Sequence, residues 1–389
     1  MIADPAVPRR DALLRPETMA GVISQRLLDG VPVQHCERTY VKYRVGESLR
    51  VVYRYDNTYV AVRTGKRDGI AAPEVGAALY PFPHDRKLDL SAVGRLLDPT
   101  TTPRLIAWAA EQSATFECRD PSGRVVAYAR VQRHAAPWPA LDDIRTPRVL
   151  AASDDMLLLE PLEGVRLDRA RGEGLAALGA ALARLHAITP AAAVVPRHAV
   201  APSDAVAPSH AAAPRHAGAP RHAGAHLALP RFARVDPTRL FTAAEAIGRV
   251  RPDAARAAQR LLASLFERVG DGVREPVLIH GDANLRNALL LPDGDVALLD
   301  LEDLSVGPAA ADLGQLLAAL LINRTPANAL LRGYGDLPDG AALRWHTAAA
   351  LLARQALPAV SRFRPELLAR LPELLDAGTA LLAPKAVAA

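Results

Sequence analysis

The chain has 389 residues, half of them hydrophobic and 23% charged, which excludes wholesale disorder and suffices for one large domain or two ordinary ones. Two cysteines, Cys36 and Cys118, exclude a disulfide scaffold and suit a reducing cytoplasm, and neither a membrane-length apolar run nor a signal-peptide pattern is expected from the sequence. The formal charge of +5 rests almost wholly on scattered arginines, with lysine only at Lys42, Lys66, Lys87 and Lys385; with 4% aromatics this does not read as a nucleic-acid surface.

In chain order the first half reads as strands. Arg38–Val45 and Leu49–Tyr55 are rich in Val and Tyr and flank Gly46-Glu47-Ser48; Tyr59–Arg63 follows a turn at Asp56-Asn57. A similar unit recurs as Ala114–Cys118, a turn at Asp120–Gly123, and Arg124–Val131. Each unit begins near a Glu–Ser element and ends in an arginine on an apolar strand, Arg63 in the first and Arg130 in the second. Arg148–Ala152 and Met156–Leu162 are two further short strands, and Gly174–His186 is an amphipathic helix with Leu175, Leu178, Leu182 and Leu185 on one face. Residues 192–229 hold a period-six repeat (Pro196, Pro202, Pro208, Pro214, Pro220) filled mainly with alanine and read as a low-complexity linker. Ala243–Val269 is helical with a break near Arg251-Pro252, and from Ala309 onward Leu-rich helices are expected at 313–322, 341–356 and 366–382. The layout is α+β and two-lobed: a β-rich N-lobe over 1–160 and a mainly helical C-lobe over 161–389.

The chemistry concentrates in Pro276–Asp303. An apolar strand ends in His280-Gly281-Asp282; an amide, Asn287, follows five residues after the carboxylate. A short strand, the Asp293-Gly294 turn and a return strand then lead to Asp300-Leu301-Glu302-Asp303. The hairpin brings Asn287 and Asp300 to one end, beside Asp282. Amide and carboxylate oxygens at one point suit a hard divalent cation such as Mg²⁺.

His280-Gly281-Asp282-x-x-x-x-Asn287 resembles the catalytic loop of the protein-kinase-like fold, in the form found in aminoglycoside, choline and related small-molecule phosphotransferases. Asp300–Asp303 resembles the metal motif of that family, Asp312 its structural aspartate, Leu157–Gly164 its interlobe hinge, and the Leu-Ala-Arg-Leu-His ending at His186 the first C-lobe helix. The resemblance implies transfer of the γ-phosphate of ATP to a hydroxyl of a small molecule, with Asp282 orienting that hydroxyl and accepting its proton. It implies further that Asn287 and Asp300 hold Mg²⁺ with help from Glu302, that His280 braces the loop, and that the hinge at Glu160 and Leu162 meets the adenine.

The N-lobe departs from this pattern. None of the four lysines occupies the inner-strand position that grips the α- and β-phosphates; Arg130 stands there, with Arg63 as the competing register, and no glutamate-bearing helix clearly follows Arg130. No Gly-x-Gly-x-x-Gly loop is present, which leaves the turns at Gly46 and Gly123 as candidates to cover phosphate. A catalytically weak nucleotide-binding regulatory protein on the same fold is therefore the alternative function. Residues 304–389 carry six acidic against eight basic residues, which disfavours a strongly cationic acceptor.

Overall fold

The architecture is taken from a computed structural model, which describes residues 2–188 and 237–383 apart from 67, 136, 140, 142, 171 and 273–275. The expected low-complexity linker at 192–229 lies outside the described residues.

Two helices, α1 (Arg10–Leu13) and α2 (Pro16–Leu27), precede strands β1 (Cys36–Arg44), β2 (Ser48–Tyr55), β3 (Thr58–Thr64), β4 (Ile70–Ala72) and β5 (Ala77–Pro81). A second set follows: β6 (Thr102–Ala109), β7 (Ser113–Arg119), β8 (Val125–Gln132), β9 (Val149–Ala152) and β10 (Met156–Leu159). The β-rich half thus holds two antiparallel five-stranded sheets, ordered β1-β2-β3-β5-β4 and β6-β7-β8-β10-β9. The order is the same in both, and so is the register around the two arginines. Arg63 pairs with Arg50 on β2 and Ala78 on β5, whereas Arg130 pairs with Thr115 on β7 and Leu157 on β10. In each case the partner is the third or second residue of its strand, at equivalent places in the two sheets. The recurrence seen in the sequence is therefore a structural repeat.

The first sheet is covered on both faces, as its near-continuous apolar strands require. Val51, Tyr53, Val60 and Val62 join one core; Val52 and Ala61, pointing the other way on the same strands, join another with Trp108, Phe116 and Met156 of the second sheet.

After β11 (Val165–Arg166) come α3 (Leu175–Ala187), α4 (Pro237–Val250) and α5 (Pro252–Glu267), with the expected break falling at Arg251. Then follow β12 (Val277–Ile279), β13 (Ala288–Leu290), β14 (Val296–Leu298), β15 (Ser305–Gly307), and α6 (Ala309–Ile322), α7 (Asn328–Tyr334) and α8 (Gly340–Ala350). A π-helical turn, Leu351–Ala356, continues α8 into α9 (Leu357–Ser361), and α10 (Pro365–Ala369) and α11 (Leu371–Leu382) close the described chain. The core of the first sheet extends into this half through Ile247, Leu261, Trp345, Leu352 and Leu375. A separate core of Leu178, Leu182, Leu278, Leu298, Leu313 and Leu316 supports β12 and the β13–β14 hairpin from below.

Candidate active site

The loop after β12 is built around one buried carboxylate. Asp312, in the first turn of α6, is fully buried and accepts the backbone N–H of His280 at 2.7 Å and of Gly281 at 3.0 Å. His186 at the end of α3 links the Asp312 carboxylate (Nε2, 3.1 Å) to the Tyr334 hydroxyl (Nδ1, 2.8 Å), so it is a satisfied helix-end histidine within the loop's foundation. Burial alone would raise the Asp312 carboxyl, but the hydrogen bonds it accepts from His186 and from the loop backbone outweigh this and hold the group below the usual carboxylate range. The His280 ring reaches across to the Leu299 carbonyl (Nε2, 2.9 Å), tying the loop to the return strand of the hairpin. Gly281 has φ +80°, and a Cβ there would lie 2.1 Å from the Asp303 carbonyl oxygen; only glycine lets these two segments close.

Asp282 projects from this platform and stays about one-third exposed. Asn284 accepts the backbone N–H of Arg286 (2.9 Å) and Asn287 (3.2 Å), and its amide donates to the Asp282 carbonyl at 3.0 Å. The Asn287 amide donates to that carbonyl at 3.1 Å and to Asp282 Oδ2 at 3.3 Å, which turns the carboxylate and the amide towards one another. Arg354, within the π-helical turn, donates to Asp282 Oδ1 and to the Gly281 carbonyl, both at 3.1 Å. The wider turn changes which side chains of this helix face the loop, a use for which π-turns recur at functional sites.

The hairpin delivers the remaining groups. Leu299 donates its N–H to the Asn287 carbonyl at 2.8 Å, just beyond the paired residues Ala288 and Leu298, so Asn287 and Asp300 share one end. Asp300 adopts a left-handed backbone, φ +61°, which aspartate tolerates better than most residues and which marks a constrained position. Arg130 crosses from β8 to the hairpin, pairing through Nη1 with Asp300 and through Nε with Glu302, each at 2.9 Å. Burial pushes the Glu302 carboxyl up to about 7 despite the opposing pull of Arg130. Between β8 and β9 no helix occurs among the described residues, so the carboxylates that meet Arg130 come from the hairpin rather than from an N-lobe helix.

Other candidates lie apart from this cluster. Arg63 belongs to the first sheet and pairs at 3.2 Å with buried Glu111 of the β6–β7 turn, where Arg50 also binds. The Glu160 side chain forms a two-pronged pair with Arg148 at 2.9 and 3.0 Å, leaving the hinge backbone as its possible contribution. Leu162 packs on a small apolar cluster of Leu289, Leu291 and Ala297 beneath the hinge. Neither the Gly46 nor the Gly123 turn borders the interlobe cavity. That cavity, about 590 Å³, is walled instead by Ala109, Gln112 and Ser113 of the β6–β7 turn, by Arg130, Gln132 and Glu302, by Arg286 of the loop after β12, and by Arg38–Val41, Arg362 and Arg364. The Gly46 turn lies past the end of β1, beyond the Arg38–Val41 stretch that borders the cavity, and the Gly123 turn lies at the opposite end of β7 from it.

A family model for the phosphotransferase enzyme family matches residues 108–346, more than half of the chain. The chain belongs to the phosphotransferase enzyme family. Solved structures similar to it include an aminoglycoside phosphotransferase from Streptomyces rimosus (20% identity, covering 70% of this chain and 97% of that one, TM-score 0.42). A choline/ethanolamine kinase family protein from Mesorhizobium loti is another (16%, 73% and 89%, 0.46), as is a thermostable aminoglycoside phosphotransferase mutant in complex with AMP-PNP and hygromycin B (16%, 76% and 99%, 0.49). No curated protein matches the chain.

The match to this phosphotransferase begins near the end of β6, so the second sheet from β7 onward lies within it and the first sheet lies outside. Two residues that hold Asp282 escaped sequence reasoning. Asn284 carried a legible signal, since an asparagine preceding a turn commonly caps it. Arg354 carried none, being 72 residues from Asp282 in sequence.

Proposed function

We propose that this phosphotransferase moves the γ-phosphoryl group of ATP to a hydroxyl of a small molecule in the cytoplasm. The observation that carries the reading is the convergence of Asp282, Asn287 and the Asp300 end of the hairpin on one side of Arg130. In this reading Asp282, oriented by Arg354 and the two asparagines, aligns the acceptor hydroxyl and takes its proton as that oxygen bonds to the γ-phosphorus and the bridging P–O bond to ADP breaks. Arg130 takes the position of the phosphate-gripping lysine, offering a planar fork in place of a point charge. The adenine would lie along the hinge backbone at Glu160–Leu162, over the apolar cluster around Leu289.

The donor set fits Mg²⁺. Among the described residues no three His, Cys, Asp or Glu side chains gather as a self-sufficient metal site, but Mg²⁺ needs only one or two carboxylates when phosphate and water complete its shell. Asn287 and Asp300 would hold it, with Glu302 behind. When bound, it would neutralise charge building up between the β- and γ-phosphates. Arg130 now occupies Asp300, so nucleotide and metal would have to draw the two apart.

That same ion pair favours a second reading, a nucleotide-binding regulatory protein with little turnover. An ADP-release assay with Mg-ATP across hydroxyl-bearing metabolites and antibiotics separates the two. Acceptor-dependent release in the wild type and none in Asp282→Ala supports the transferase; nucleotide binding without release under any acceptor supports the regulator.

A further inference from the structure

The interlobe cavity is bordered by five arginines, Arg38, Arg130, Arg286, Arg362 and Arg364, against one acid, Glu302. Two of the five have partners on hand: Arg130 is held by Asp300 and Glu302, and Arg286 lies 3.7 Å from Asp168. The other three have no carboxylate within ion-pair distance among the described residues. The Arg38 side chain is nonetheless held from two sides, whereas Arg362 is exposed and Arg364 half-buried. Arg38 on β1 donates to the Leu14 carbonyl at 2.8 Å, and its guanidinium stacks over the Phe363 ring at 5.3 Å. Phe363 itself sits between Arg362 and Arg364 with φ +50°, a costly conformation for a bulky residue. It persists because the chain after α9 is locked by backbone bonds from Arg362 to Pro358, Phe363 to Val360 and Arg364 to Ala359. Burial, with the charges of Arg286 and Arg362 close by, pushes the Arg364 guanidinium down to about 10. Like charges thus gather here, and the one acid on the cavity wall, Glu302, is already paired with Arg130.

Crowding of this kind costs stability unless a ligand supplies the missing negative charge. Arg38, Arg362 and Arg364 all fall outside residues 108–346, on a strand of the first sheet and on the segment after α9, whereas the catalytic loop, hairpin, hinge and Arg130 fall within. The three form a wall of their own, and the cavity they face is bordered on its other side by Arg130, Glu302 and Arg286, the neighbours of Asp300 and of the loop that carries Asp282.

We infer that the acceptor is an anionic alcohol, whose carboxylate or phosphate is held by Arg38, Arg362 and Arg364 while its hydroxyl is presented to Asp282. This rests on the phosphotransferase reading for the hydroxyl, but the oxyanion site itself is testable apart from it. Guanidinium forks match both carboxylate and phosphate oxygens in pairs, and the three lie on two separate elements, so one oxyanion bridges the first sheet to the C-lobe.

The test uses the full-length protein saturated with Mg-AMP-PNP, so that the nucleotide's own phosphates do not compete. Citrate and inorganic pyrophosphate are titrated as probes by calorimetry, beside the cationic alcohol choline. The oxyanions should bind and choline should not. The Arg362→Ala/Arg364→Ala double variant should weaken oxyanion binding about tenfold or more, as loss of charge-assisted hydrogen bonds implies. Arg362→Lys/Arg364→Lys, which keeps the charge and guards against misfolding, should retain part of the affinity. A preference for citrate assigns a carboxylate, and a preference for pyrophosphate a phosphate. Equal oxyanion affinity in wild type and the alanine variant, or tighter binding of choline, overturns the inference. Binding of the AMP-PNP is measured in the same samples; its failure would count against the phosphotransferase reading, and the oxyanion titration, repeated without nucleotide, would still decide the site.

Discussion

Replacing Asp312 by asparagine should remove the foundation of the loop after β12 with almost no change of shape. The carboxylate accepts two backbone N–H groups on different oxygens, at 2.7 and 3.0 Å, and the His186 ring at 3.1 Å, in a place closed to water. Asparagine keeps one acceptor oxygen and turns an NH₂ group against an N–H donor. A hydrogen bond to a charged group contributes about 1.5–3 kcal/mol, and a buried donor left alone costs a further ~1–3 kcal/mol. Together these span roughly 2.5–6 kcal/mol, which brackets the ~3–5 kcal/mol expected when one partner of a buried polar cluster is removed. The pH dependence carries a second signature. Because the folded carboxyl lies below its unfolded value, Asp312 contributes stability above about pH 4 that is lost as pH falls through the folded value. Equilibrium urea unfolding of wild type and Asp312→Asn at pH 7.5, repeated towards pH 3, measures both. A loss under about 1 kcal/mol at pH 7.5, or a difference that does not shrink in acid, would refute the assigned role.

Three further outcomes are expected. Gly281→Ala should destabilise the protein by about 2 kcal/mol or more, since it adds a disfavoured φ and a clash with the Asp303 carbonyl; urea unfolding indistinguishable from wild type would contradict the close packing. Glu302 in the metal-free protein holds a proton up to about pH 7, against 4.5 for an ordinary glutamate, so it costs stability as pH rises between those values, at most about 3 kcal/mol when fully ionised. Glu302→Gln in chelator should accordingly melt higher than wild type at pH 8 and alike at pH 4.5; an unchanged difference across that range would refute the buried carboxyl. Arg130→Ala should weaken binding of a fluorescent ATP analogue about tenfold or more, with Arg130→Lys closer to wild type, and an unaltered affinity would remove Arg130 from the nucleotide site.

Local pattern made the centre of the molecule legible. The hairpin at Asp293-Gly294 and the pairing of its ends follow from turn chemistry and alternation, and these alone put Asn287 beside Asp300. The break at Arg251-Pro252 is likewise local, because proline cannot donate within a helix. What escaped was set by tertiary contact. Arg63 and Arg130 occupy matching registers in two similar sheets, and their sequences do not differ in the feature that matters: which sheet lies above the hairpin. Likewise, nothing in the sequence around residue 354 marks a π-turn, and Arg354 reaches Asp282 only because α8 and its continuation pack beside the loop. The oxyanion wall is of the same kind, joining Arg38 to Arg364 across more than three hundred residues.

The most direct test of the account is the Asp282→Ala variant assayed for phosphoryl transfer and nucleotide binding in parallel. Arg354 and the asparagines hold this carboxylate in place without making it part of the fold's core, so its removal should leave the protein folded and Mg-ATP affinity within about twofold of wild type. Acceptor-dependent ADP release should vanish. Turnover that survives the substitution would show that Asp282 does not serve the reaction, and the assignment of this loop as the catalytic one would fall with it.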